Sequence, residues 1–141
     1  MNAKATAALA QYTQGSVQAS ATAADPHRLI QMLLEGALDK IAAAKGYMER
    51  GQHEEKGRHI SWAVSIINGL RRSLDLEAGG DISANLDALY DYSERRLMEG
   101  LANNNTVCLD EVAGHLREIK AGWDAIPESV KAEHAGRVAA K

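Results

Sequence analysis

The sequence predicts an all-α protein: an antiparallel up-down-up-down four-helix bundle, with a weakly ordered amino-terminal arm and a short carboxy-terminal tail. Three observations carry this. Apolar residues recur at alternating spacings of three and four, the period of a helix face that packs on other helices. Only two prolines occur, Pro26 and Pro127, and the stretch between them is rich in Ala, Leu, Glu and Lys. There is no Phe, and only two Trp and four Tyr. The core must therefore be filled by Leu, Ile, Val, Ala and Met, the usual material of helix–helix packing.

Residues 1–24 are mostly Ala, Gln, Thr and Ser and bury too little apolar surface to order themselves strongly. Leu9 and Tyr12, three apart, allow one apolar helical turn around residues 5–13. Asp25-Pro26 then marks a helix start, with Asp as N-cap and Pro at the first helical position. The first helix is expected from about 26 to 50, ended by Gly51, with Ile30, Leu34, Ala37, Ile41, Ala44 and Met48 as its seam. The second, about 54–76, carries Ile60, Ala63, Ile67, Leu70 and Leu74. Gly79-Gly80 is the expected turn, because glycine takes positive φ at little steric cost. The third helix, about 81–102, carries Ile82, Leu86, Leu89, Tyr90, Leu97 and Leu101. After the polar turn Asn103-Asn104-Asn105, the fourth carries Leu109, Val112, Leu116, Ile119, Trp123 and Ile126 and stops at Pro127. Such helices are each roughly 30–37 Å long, and short connections make neighbours antiparallel. The bundle domain is thus residues 25–127, and 128–141 form a polar tail.

A chain of 141 residues has room for one modest core. Its net charge of −3 and the isolated pairs Arg71-Arg72 and Arg95-Arg96 do not make the basic stripe that nucleic acid requires. No apolar run approaches the roughly 20 residues that span a bilayer, and the amino terminus lacks the apolar core of a secretory signal. A single cysteine, Cys108, forms no internal disulfide and fits a reducing cytosol.

Chemistry was sought and not found. A di-iron bundle needs Glu three residues before His, but the five histidines follow Ala24, Arg50, Lys56, Val112 and Lys131 at that spacing. Glu55…His59 and Glu111…His115 are four apart and read as surface pairs rather than metal fragments. A histidine phosphotransfer bundle shares the architecture, and His59 has Arg58 beside it. The residues after His59 are Ile60, Ser61, Trp62 and Ala63, without the Lys-Gly pair of such sites. No catalytic residue, metal or cofactor is expected, and the phosphotransfer protein and an unrelated bundle adaptor stand as the alternatives.

Apolar surface, by contrast, is in surplus. On the first helix Leu29, Met32, Gly36, Ala43 and Tyr47 extend the stripe past the seam. On the second, Trp62 and Ile66 sit four apart on the flank. Half of these are accounted for by a broad core, and the others suit a shallow groove for an apolar segment of a partner. Gly36 and Gly69 would let a partner's backbone come close. On the flank reading, Ile66→Asp weakens partner binding and leaves stability intact.

The same stretches resemble the flagellar secretion chaperone family, FliS, which binds flagellin. The resemblance covers about residues 9–127. It runs through Tyr12…Val17, the segment from Asp25 to Ala37, and Leu74 to Ile82. It continues with Asn85 to Tyr92, Arg95-Arg96-Leu97 and Leu116 to Trp123. The segment Gly79-Gly80-Asp81-Ile82 through Leu89-Tyr90-Asp91-Tyr92 is its most specific part, because bundle packing alone does not demand it. Asp25 stands where the family usually has Ser, and Leu34 where it usually has an aromatic. The resemblance implies a cytosolic export chaperone. It would bind the disordered C-terminal segment of flagellin, prevent premature polymerisation and deliver flagellin to the flagellar type III export gate. The implied client-binding positions are Leu29, Met32, Leu33, Gly36, Tyr47, Trp62, Ile66 and Tyr90. Leu9, Tyr12 and Val17 are implied to cover the groove or meet the export gate. Nucleic acid and membrane insertion are not expected, and a homodimer without client is left open.

Overall fold

The computed structural model describes residues 25–127. Four helices follow one another: α1 (Pro26–Glu49), α2 (His53–Arg72), α3 (Leu76–Asn103) and α4 (Thr106–Asp124). Together they form an all-α four-helix bundle. The expected arm, including Leu9, Tyr12 and Val17, and the tail 128–141 lie outside the described residues.

Local chemistry sets most of the boundaries. The Asp25 side chain accepts a hydrogen bond from the Arg28 backbone N–H at 3.2 Å, and Pro26 occupies the first turn. Gly51, at φ +70°, ends α1 in the left-handed region where a Cβ is penalised. Glu54 and Glu55 in the first turn of α2, with Arg71 and Arg72 in its last, complement the helix dipole. At the α3–α4 turn Asn104 takes φ 51°, and Asn105 donates its N–H to the Gly100 carbonyl at 2.9 Å. The Asn105 side chain then caps α4, accepting from Val107 N–H at 3.0 Å. A Cβ on Gly100 would lie 2.8 Å from Leu109 Cδ1 and 2.9 Å from Cys108 Cβ, so α4 starts closer to α3 than any other residue would permit.

One boundary differs from expectation. Instead of running on to Leu76, α2 stops at Arg72. The Asp75 carboxylate accepts the Ala78 N–H at 3.0 Å, which starts a fresh turn before the glycine pair is reached. Gly80, at φ 53° and ψ −131°, then breaks the helical backbone, so the expected glycine turn separates this short capped turn from the long remainder of α3.

The helices form a ring in which α1 meets α2 and α4, and α3 meets α2 and α4. Partners run in opposite directions: Gln31 pairs with Asp124 at 2.7 Å, while further along α1 Lys45 pairs with Asp110 at 2.9 Å. The expected seam is the core. Leu34, Ala37, Ile41, Ala44, Met48, Ile60, Ala63, Ile67, Leu70, Leu97, Leu109, Val112 and Leu116 are all buried. Ile30, Leu74, Leu86, Leu101, Ile119 and Trp123 pack against this core partly buried, Leu89 and Ile126 are also only partly buried, and Ile82 is 74% exposed.

Polar straps cross the seams. Arg71 donates from Nε to Asp87 at 2.6 Å and from Nη1 to Asp91 at 3.0 Å, joining α2 to α3. Glu111 of α4 accepts from Tyr92 Oη at 2.5 Å and from Arg96 Nε at 2.8 Å, joining α3 to α4. Tyr92 and Arg96 thereby hold the Glu111 carboxyl below its usual range. The ring closes between its two ends. His27 donates from Nε2 to the Trp123 carbonyl at 2.8 Å, Trp123 Nε1 donates to the His27 carbonyl at 2.9 Å, and the two rings stack at 4.8 Å. Trp123→Phe keeps an aromatic ring against His27 and removes one part-buried donor. It should cost about 0.5–1.5 kcal/mol in urea unfolding, and full retention of stability would show the bond to be idle.

Glu94 supplies a pH test. Burial pushes its carboxyl above the usual range, against weaker opposing pulls from Asn68 and Arg71. Asn68 reaches one oxygen at 3.3 Å, and the other is buried without a hydrogen bond, 3.7 Å from Arg71. A raised native pKa means that the native state holds this proton more tightly than the unfolded chain does. The favourable contribution therefore exists at low pH and is lost as pH rises through the native pKa. Glu94→Gln should melt higher than the parent protein at pH 7, and the gap should shrink as pH falls towards the carboxylate range. A gap independent of pH would contradict this.

Candidate functional site

The surplus apolar residues converge on the line where α1 packs against α2. Tyr47 and His59 rings lie 4.9 Å apart, and His59 and Trp62 rings 6.2 Å apart. Lys40 of α1 holds its Nζ 3.7 Å from the centre of the Trp62 ring of α2, and Arg50 lies 5.0 Å from the Tyr47 ring. A cation over an indole face contributes about 0.5–2 kcal/mol, depending on its desolvation. Tyr47 and Trp62 are partly exposed, and Gly36 and Gly69 are buried along the same two helices.

Helix geometry shows how wide the apolar surface is. At about 100° per residue, the buried apolar positions of α1 run from Met32 through Gly36, Leu29, Leu33 and Ala37 to Leu34. That is an arc of about 200°. A bundle helix needs an apolar stripe a little over 100° wide.

The flank placement needs correction. Leu29, Met32, Gly36 and Ile66 are buried, as is Leu33, with Ile66 only 1% exposed. A single-seam reading places Ile66 beside the core. In the ring, however, α2 has neighbours on both sides, α1 and α3, so the shoulders of its seam are covered as well. Tyr90 is also part of the core, on α3, which does not meet α1. Burial pushes its hydroxyl up to about 12.

His59 does not offer the open side chain that phosphotransfer requires. It is 13% exposed and lies between the Tyr47 and Trp62 rings, with its Nδ1 2.8 Å from the Glu55 carbonyl. Because a carbonyl only accepts, Nδ1 carries the hydrogen. Glu55–His59 and Glu111–His115 form the expected i,i+4 pairs at 3.9 and 3.5 Å. Among the described residues no three His, Cys, Asp or Glu side chains converge on a metal-sized site, and no helix is long and apolar enough to cross a membrane.

Sequence reasoning missed the His27–Trp123 clasp and the roles of the arginine pairs. Arg71 and Arg96 strap helices together, whereas Arg95 pairs with Asp91 within α3. Nothing in the local spacing signals a partner on another helix.

The fold is a four-helix bundle organised around the broad apolar line between its first two helices. The chain belongs to the FliS family: the family's sequence model, described as flagellar protein FliS, matches residues 8–130. The chain is similar to the flagellar secretion chaperone FliSB of Pseudomonas aeruginosa, 50% identical over 84% of this chain and 94% of that protein. It is also similar to the flagellar secretion chaperones FliS of Vibrio cholerae, 40% identical over 84% and 88%, and of Salmonella typhimurium, 41% identical over 82% and 86%.

The corrected burial reverses the sequence-based expectation for Ile66. Ile66→Asp should unfold the bundle or cost several kcal/mol, because an unpaired charge enters the core, and Ile66→Ala should cost about 2–5 kcal/mol. Trp62→Ala, at a partly exposed position, should cost less than Ile66→Ala. Equal melting temperatures for Ile66→Asp and the parent protein would place Ile66 outside the core after all.

Proposed function

We propose that this protein is an export chaperone for flagellin. In the cytosol it binds the C-terminal segment of flagellin, which is disordered when free, keeps it from polymerising, and hands it to the flagellar type III export gate. The observation that carries the reading is the about 200° buried apolar arc of α1. α1 packs on both α2 and α4, and a buried arc this wide suits a helix that exchanges one apolar cover for another. Membership of the FliS family supports the same reading. The work is binding rather than bond chemistry, and Tyr47 and Trp62 are the rim residues through which a client first makes contact. Coupled folding and binding of such a segment buries roughly 1,000–3,000 Å² and gives up a few kcal/mol to ordering.

Leu9, Tyr12 and Val17 act as the resting cover of this surface, and Tyr12 also helps present the loaded complex to the gate. Burial of Leu9 and Tyr12 contributes roughly 1.5–3 kcal/mol each, against roughly 1–2 kcal/mol for every backbone residue that becomes fixed. The cover is therefore marginal and easily displaced.

Calorimetric titration of flagellin into the full chain, and into a chain lacking residues 1–24, tests this. Flagellin without its C-terminal segment should not bind. Removal of the arm should leave client affinity equal or tighter, by about tenfold at most, while flagellin secretion falls. Much weaker binding by the truncated chain would make the arm part of the binding surface. Undiminished binding of truncated flagellin would end the proposed client register.

A further inference from the structure

We propose that the elbow joining α2 to α3 is a second docking surface, and that its occupant is a basic, apolar-faced segment of another protein. The chain leaves α2 at Arg72, makes one capped turn at Leu76–Gly79, bends at Gly80 and only then enters the straight part of α3. Within this elbow Leu76 is 54% and Ile82 74% exposed. Ile82 is not an outward-facing residue by register. At about 100° per residue it lies within about 40° of Leu86, about 20° of Ser93 and about 60° of Leu97. Ser93 and Leu97 are fully buried, and Leu86 packs against the core. The core-facing stripe of α3 thus continues to a point where no described helix covers it.

Charge selects the occupant. From Ser73 to Glu94 the chain carries Asp75, Glu77, Asp81, Asp87, Asp91 and Glu94, and no Lys, Arg or His. Arg71 engages Asp87, Asp91 and Glu94, and Asp75 caps the elbow turn. Glu77 and Asp81 flank the exposed apolar pair and make no ion pair among the described residues. Two exposed aliphatic side chains bordered by two unneutralised carboxylates match a helix that carries Leu or Ile on one face with Lys or Arg beside it. A patch of this size gives a weak contact whose on-rate and selectivity come from charge. That suits a partner met briefly, and the elbow leaves the α1–α2 line available at the same time.

The test uses the full chain and a fluorescein-labelled amphipathic peptide of leucine and lysine, about four helical turns long. A leucine–glutamate peptide serves as counter-probe, and binding is followed by fluorescence anisotropy. Leu76→Ser with Ile82→Ser, and separately Glu77→Lys with Asp81→Lys, should each weaken binding of the lysine peptide about tenfold or more. All four positions are exposed, so melting should change little. Glu49→Lys with Glu118→Lys alters net charge equally at exposed positions outside the elbow and should leave binding within about twofold. Added salt should weaken the parent complex, and the glutamate peptide should not bind.

The proposal fails if the lysine peptide does not bind, or if the remote charge control weakens binding as much as the elbow reversal. It fails equally if the serine variant binds like the parent. Sedimentation showing a dimer that dissolves on Ile82→Ser would make the elbow a contact between copies of this chain instead.

Discussion

The packing of α1 against α2 is the contact on which the other helices depend. It is the most extensive of the four interfaces, and its two members contribute most of the fully buried large side chains. Helices of this length are marginal on their own in water and hold their shape through the faces they bury. α3 is drawn onto α2 by Arg71, and α4 is drawn onto α1 by Lys45, Gln31 and the His27–Trp123 clasp. α1 and α3 lie across the ring from each other, so the backbone of α3 is positioned chiefly by α2 and α4.

The straps contribute specificity more than stability. Exposed ion pairs are worth about 0–1 kcal/mol each, and most here are partly exposed. Their value lies in position, since each joins one defined pair of residues on neighbouring helices. Lys56 illustrates this. It is nearly buried, and its Nζ reaches Asn104 Oδ1 at 2.7 Å, which ties the start of α2 to the turn between α3 and α4.

Much of this was legible in the amino-acid pattern. Asp25-Pro26, Gly51 and Asn105 announce helix ends through chemistry that acts within four residues, and the three-four spacing identifies the seam. Local signals fail where the answer depends on a neighbour. Ile66 and Ile82 show the failure in opposite directions. Periodicity assigns each a direction around its helix, but whether that direction is covered depends on how far the adjacent helices extend. Ile66 has α1 and α3 on its two sides, while Ile82 lies in the elbow, beyond cover. Asp75 is a subtler case. The glycine pair looked like the only punctuation, yet α2 had already ended at Ser73 and the Asp75 carboxylate had started a new turn. Periodicity showed that α1 and α2 carry more apolar residues than one seam, but not how deeply each residue lies.

The clasp between His27 and Trp123 also bears on the order in which the chain folds. Its partners are 96 residues apart in sequence, whereas the α1–α2 and α3–α4 contacts close across turns of a few residues. Loop-closure entropy grows with the logarithm of chain separation, by about 0.6 kcal/mol for each doubling. The two helical hairpins therefore form at lower entropic cost than the ring that joins them. Docking of α4 onto α1 is the late step. Its kinetic signature is a φ-value near zero at Trp123 beside higher values along the α1–α2 seam. A bundle built this way unfolds first at the α1–α4 seam, opening like a book along its spine while each pair of helices stays paired.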